Sequence, residues 1–184
     1  MGFSLLEALV ATAIFGTVMV GLCTVYATSH RSYSRGSIRI EAQQNVRAAI
    51  GMAARDIRHA GYDPSDVINT LPTTAIEVAA TNTITLVGDV DGDDVTDKVT
   101  YRRDGNRLIQ QMASWVSGAW STAVESELAD DVVSLSFAYY DENDNVTATL
   151  ADIRRVTINL TGRETAQDTR IDFPLTLDAR LRNL

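Results

Sequence analysis

The stretch GDVDGDDVTDK, residues 88–98, places Asp89, Asp91, Asp93 and Asp97 at short spacing around Gly92. Carboxylates gathered on a turning backbone supply the several oxygen ligands that a hard cation requires, so the chemistry this spacing offers is calcium coordination. Asp94 adds one more carboxylate to the same run. The order is not that of an EF-hand loop, in which glycine directly follows the third acidic position; here Gly92 lies between the second and the third. Two readings stand: a calcium site built from Asp89, Asp91, Asp93 and Asp97, or a solvated acidic hairpin loop.

A second carboxylate is conspicuous by its surroundings. Glu7 sits inside a run of apolar residues from about Leu5 to Ala27. Such a run matches the roughly 20 helical residues that cross a bilayer core, and a charge at that depth costs about 2.5–3.5 kcal/mol. The run reads as a buried helix of a soluble protein, as a secretory signal cut after Val25-Tyr26-Ala27, or as a retained helix whose acid has a partner. An all-round apolar helix is unusual in a small soluble domain. A secretory signal opens with basic residues, whereas this start has none and carries an acid, Glu7, instead. The third reading fits best.

Other chemistries find little support. The chain has one cysteine, Cys23, and two histidines, His30 and His59, too few of the usual ligands for a zinc centre. No nucleophile elbow, P-loop or HExxH motif is present, and the expectation is a protein that is not an enzyme. Charge is unevenly spread: residues 1–60 carry a net +3, residues 61–184 a net −11. The acidic distal part would repel phosphates, which argues against nucleic acid as a partner.

The elements that position these groups follow from periodicity. Val46, Ile50, Ala53, Ile57 and Ala60 recur at helical spacing, so the helix is expected to run from Phe3 to Ala60, with Gly61 as its C-terminal cap. After Thr70 the period becomes two. Ile84 and Leu86, then Val133, Leu135, Phe137 and Tyr139, then Val156, Ile158 and Leu160 mark half-buried antiparallel strands. A last strand alternates from Ile171 to Leu181, and Pro174 makes it an edge or bulged strand. Residues 115–131 are the least regular stretch, with Trp115 and Trp120 as core or loop anchors.

The segment GFSLLEALVATAIFG resembles the N-terminus of type IV pilins and type II secretion pseudopilins. The resemblance implies that a prepilin peptidase cuts after Gly2, that Phe3 becomes an N-methylated terminus, and that Glu7 is the glutamate at the fifth mature position. In an assembled filament Glu7 would then meet the cationic amine of a neighbour's Phe3. Pairing offsets much of the cost of a buried charge, and a wrong register leaves that charge alone. Members usually carry several residues, some basic, ahead of the glycine; here Met1-Gly2 alone precedes the cut, so the rest of the leader is expected upstream of this sequence.

The stretch AQQNVRAAIGMAARDIRHAGY and a terminal strand ending in RLRN are similar to PilW-type minor pilins, with the pseudopilin GspJ as a relative. The expected fold class is α+β: a long N-terminal helix, transmembrane in its first half and amphipathic in its second, packed on an antiparallel β-sheet. Residues 1–2 would be residual leader, 3–27 the transmembrane and filament-core helix, 28–61 the amphipathic half, and 62–184 the β-rich globular domain. The implied role is a minor pilin that primes a type IV pilus or caps its tip. A GspJ-like pseudopilin and a pilus-borne adhesin are the alternatives. Implied partners are other pilins, the peptidase and the bacterial inner membrane, with the globular domain in the periplasm and later on the cell surface.

Overall fold

The computed structural model describes residues 4–71, 73–166 and 169–183. Two compact units are present, Met1–Ile40 and Glu41–Leu184. Helix α1 (Leu5–His59) begins in the first and ends in the second.

In the first unit, Leu5–His30 has a mean hydropathy of 2.1 and none of it is buried. By length and composition this segment is able to cross a membrane. Its polar side chains are met locally: the hydroxyls of Thr12, Thr17, Thr24 and Thr28 donate to carbonyls three or four residues back. Such back-bonding lets a threonine sit on an apolar helix without an unsatisfied donor.

In the second unit the expected stripe is the buried face. Val46, Ile50, Ala53, Ile57 and Ala60 are all at most 4% exposed. Ala49 and Ala54 widen the stripe and are buried as well, while Arg47 and Arg55 face solvent. Gly61 stops the helix with φ of 88°, the left-handed conformation that glycine adopts without steric cost. Its N–H donates to the carbonyl of Val87, so the helix end is fastened to a strand.

A short helix, α2 (Val67–Thr70), precedes nine strands among the described residues: β1 (Ile76–Ala79), β2 (Thr83–Gly88), β3 (Asp97–Asp104), β4 (Arg107–Val116), β5 (Ala119–Trp120), β6 (Val124–Ala129), β7 (Val132–Tyr140), β8 (Arg155–Ala166) and β9 (Thr169–Arg180). Strands β1 to β4 pair in chain order, and β4 pairs on its other side with β5 and β6. Strands β7, β8 and β9 form a second sheet. All pairs are antiparallel. One buried cluster joins the α1 stripe to Ile84, Leu86, Val99 and Tyr101 of the first sheet and to Phe137, Ile158 and Leu160 of the second. The α+β architecture is the one expected.

Three details depart from the alternation read in the sequence. Strand β2 is covered on both faces: Thr85 and Val87 are buried along with Ile84 and Leu86, and the Thr85 hydroxyl is satisfied by that of Thr100 at 2.9 Å. In β7 a register shift between Val132 and Ser134 buries Val132 fully and leaves Val133 half-buried; the bulge moves the inward phase by one residue. Residues 115–131, expected to be irregular, contain β5 and β6. β6 is a sheet-edge strand of sequence VESELA whose first four residues are exposed, so it carries no hydrophobic alternation. Trp115 and Trp120 stand edge to face across β4 and β5, ring centres 5.1 Å apart. Strand β9 is an edge, as Pro174 required.

Candidate functional site

The acidic run forms the connection between β2 and β3, whose pairing closes at Gly88 opposite Asp97. That register is what returns Asp97, at the foot of β3, to the acids that precede it. Asp89, Asp91, Asp93 and Asp97 each offer a carboxylate oxygen, and the four atoms all lie within 4.8 Å of one another. The four residues singled out by spacing are therefore brought together. Asp94 is not among them; it is exposed, in a left-handed conformation with φ of 62°, and its N–H donates to Asp89 Oδ2.

The carboxylates differ in how they are held. Asp89 is buried, and its two oxygens accept the N–H groups of Gly92 at 2.7 Å and Asp94 at 3.1 Å. Asp91 and Asp93 are exposed and accept the N–H groups of Asp93 and Val95. Asp97 is only 1% exposed, and neither of its oxygens has a hydrogen-bond partner. Burial raises its pKa above the usual carboxylate range, and Asp91 and Asp93 push the same way. The Ser114 hydroxyl across the strand and the backbone at Val90 pull it down without completing a hydrogen bond of regular geometry. Asp91 is shifted upward too, by desolvation first and then by Asp93.

The loop is tied to the segment that follows α1. The Asp89 N–H donates to the Tyr62 carbonyl at 2.7 Å. Thr96 and Ser65 exchange backbone-to-hydroxyl hydrogen bonds, and the Thr96 hydroxyl donates to Asp63. Arg58, His59, Tyr62, Arg182 and Asn183 line a groove beside Asp89, Gly92 and Asp94. Sequence spacing gave no sign of Asp63 and Ser65 as supports, because they lie between α1 and α2, 33 and 31 residues from Thr96.

At the other end of the chain, Gly2 and Phe3 lie outside the described residues. Glu7 is described, and it does something its apolar surroundings do not suggest. Its N–H donates to Ser4 Oγ at 3.2 Å, and its Oε2 accepts the Ser4 N–H at 3.1 Å. This reciprocal pair is a capping box, which satisfies two donors at the helix start. The S-x-x-E spacing of Ser4 and Glu7 was the sequence signal for it. Among the described residues the other oxygen, Oε1, accepts no hydrogen bond.

No protein-family model matches the chain, and no curated protein matches it. Among solved structures it is similar to a type IV-like pilin from Thermus thermophilus, with a TM-score of 0.53 and 9% identity, over 77% of this chain and 97% of that one. At that identity the likeness is one of fold.

Proposed function

We propose that the chain is a minor pilin, a structural subunit held by its N-terminal helix first in the bacterial inner membrane and then in the core of a type IV pilus. The observation that carries this reading is the helix Leu5–His30, apolar on every side and wholly exposed, continuous with the packed helix of a domain that has the fold of a type IV-like pilin. The 26 residues of such a surface require apolar surroundings on every side, which a bilayer or a bundle of other pilins' apolar helices provides.

Each part of the N-terminus then has a task. Prepilin peptidase cleaves after Gly2, and Phe3 becomes the methylated terminal amine. The capping box with Ser4 occupies one oxygen of Glu7 and leaves Oε1 for the amine of a neighbouring subunit. Low-abundance subunits of this kind prime assembly or sit at the tip.

The experiment is done in a piliated host that lacks its own copy of the gene. Mass spectrometry of the mature chain should find a methylated N-terminus at Phe3; a start at Thr28 overturns the anchor. Glu7→Ala should leave membrane insertion intact and reduce incorporation into sheared pili at least about tenfold, since a buried charge without its partner costs roughly 3–5 kcal/mol. Glu7→Gln separates the two roles of the side chain. Glutamine still serves a capping box but carries no charge, so it should fail in assembly as alanine does. Normal incorporation of Glu7→Gln overturns the pairing. Loss of protein secretion with pili intact, on deletion of the gene, would replace the pilus by a secretion pseudopilus.

A further inference from the structure

We propose that Asp89, Asp91, Asp93 and Asp97 bind one calcium ion, which locks the β2–β3 connection against the segment following α1. The decisive group is Asp97. Asp91 and Asp93 face water, and a solvated acidic loop has no need of a counter-ion. Asp97 is different: it is 1% exposed, both of its oxygens lack a hydrogen-bond partner, and one of them converges on oxygens of the other three acids. A buried carboxylate without a partner is among the more costly features a fold can keep. Among the described residues, no lysine or arginine makes a salt bridge to any of the four. Lys98, next in sequence, is turned away to Glu77 and to the face of Trp120.

The donor set selects the ion. All four groups are carboxylates, which favours a hard cation and disfavours zinc or copper. Two oxygens on opposite sides of a calcium ion stand about 4.6–5.2 Å apart, and on opposite sides of magnesium only about 4.0–4.2 Å. The four oxygens here lie within 4.8 Å of one another, inside the span of a calcium coordination sphere. Magnesium also sheds its water reluctantly, and a site with four protein carboxylates asks it to shed most of that water. Asp89, already buried and held by two backbone N–H groups, is the fixed side of the site. Its own N–H is bonded to Tyr62, and Thr96, one residue before Asp97, is bonded to Asp63 and Ser65. An ion bridging Asp89 and Asp97 would therefore brace the hairpin and the end of α1 together.

The test uses the full chain in a zwitterionic detergent, with melting followed by tryptophan fluorescence after removal of trace metal. About 10 mM calcium should raise the melting temperature by roughly 5–10 °C over EGTA, the shift expected for an ion near 100-fold above its Kd in a chain of this size. Magnesium should do much less, and sodium at equal ionic strength should do nothing, since screening is not site binding. Asp97→Asn should lose the calcium shift and melt higher than the parent in EGTA, because it removes an unpartnered buried charge. Asp91→Asn, at an exposed position, should lose the shift without altering the fold and serves if Asp97→Asn fails to fold. Asp94→Asn removes the same charge outside the cluster and should keep the shift. No calcium shift in the parent, an equal shift with sodium, or a shift that survives Asp91→Asn overturns the site. These outcomes are independent of whether the chain enters a pilus.

Discussion

The two ends of helix α1 are both rich in apolar residues, and they meet opposite fates. In the first unit Leu9 and Phe15 are 63% and 64% exposed; in the second, Val46 and Ile57 are 2% and 0% exposed. The difference lies in how the apolar residues are distributed around the helix. From Leu5 to His30 they occupy every side, and no single sheet can cover a full circumference. From Val46 to Ala60 they form one stripe, with Arg47 and Arg55 off it, and one cluster of strands suffices. The first pattern asks for a solvent, the second for a partner within the same chain.

The largest effect should come from removing side-chain volume on either side of this contrast. Ile57→Ala opens a cavity at a fully buried position and should cost about 2–5 kcal/mol of unfolding free energy in detergent. Leu9→Ala, at an exposed position, should change that quantity by less than about 0.5 kcal/mol. Equal losses in denaturant titrations would break the comparison.

A smaller effect separates the glycines of the two units. Gly61 has a φ of 88°, and a Cβ there would stand 2.4 Å from the Asn183 carbonyl oxygen. Gly61→Ala should therefore destabilise the domain by about 1–3 kcal/mol. A Cβ on Gly21 meets nothing within 4 Å, and Gly21→Ala should raise helix stability by up to about 1 kcal/mol. Helical circular dichroism together with the melting temperature reads both signs, and the same sign for the two variants would contradict the account.

The smallest effect concerns the carboxylates of the helix. Asp56 is 1% exposed and is answered inside the domain, where Tyr101 and Gln110 donate to its Oδ2 and Arg55 lies beside Oδ1. Burial nevertheless raises its pKa above 3.8, the Tyr101 hydrogen bond and Arg55 offsetting only part of that. The folded chain then holds this proton more tightly than the unfolded one. Its contribution to stability is greatest below the unfolded pKa and is lost as pH rises through the higher folded value. Asp56→Asn keeps an acceptor for Tyr101 and should flatten this part of the stability-against-pH curve. An unchanged curve between pH 7 and about pH 4 would show that burial does not perturb Asp56. Glu7 has no comparable set of donors among the described residues beyond Ser4, which is why its partner is sought in another subunit.

Much of this was legible in the chain itself. The stripe from Val46 to Ala60, the stop at Gly61 and the edge position of β9 all rest on local rules of period, glycine conformation and proline chemistry. The capping box was written as S-x-x-E but was hidden by the run of apolar residues around it. Strand β6 was not legible, because an exposed edge strand of alternating Glu and small residues has no apolar phase to read. The acid cluster was legible as a group of residues, not as a difference among them.

The sequence by itself determined where helix gives way to strand, which residues of α1 form a stripe, and that an acidic turn separates β2 from β3, because each depends on residues a few positions apart. Only the tertiary structure decided that β2 is covered on both faces, that a bulge buries Val132 rather than Val133, and that Asp97 loses contact with water while Asp91 and Asp93 keep it. Those outcomes depend on strand register and on what packs against each face. Gly88 opposite Asp97, and Asp63 and Ser65 against Thr96, are contacts between segments that no spacing rule relates.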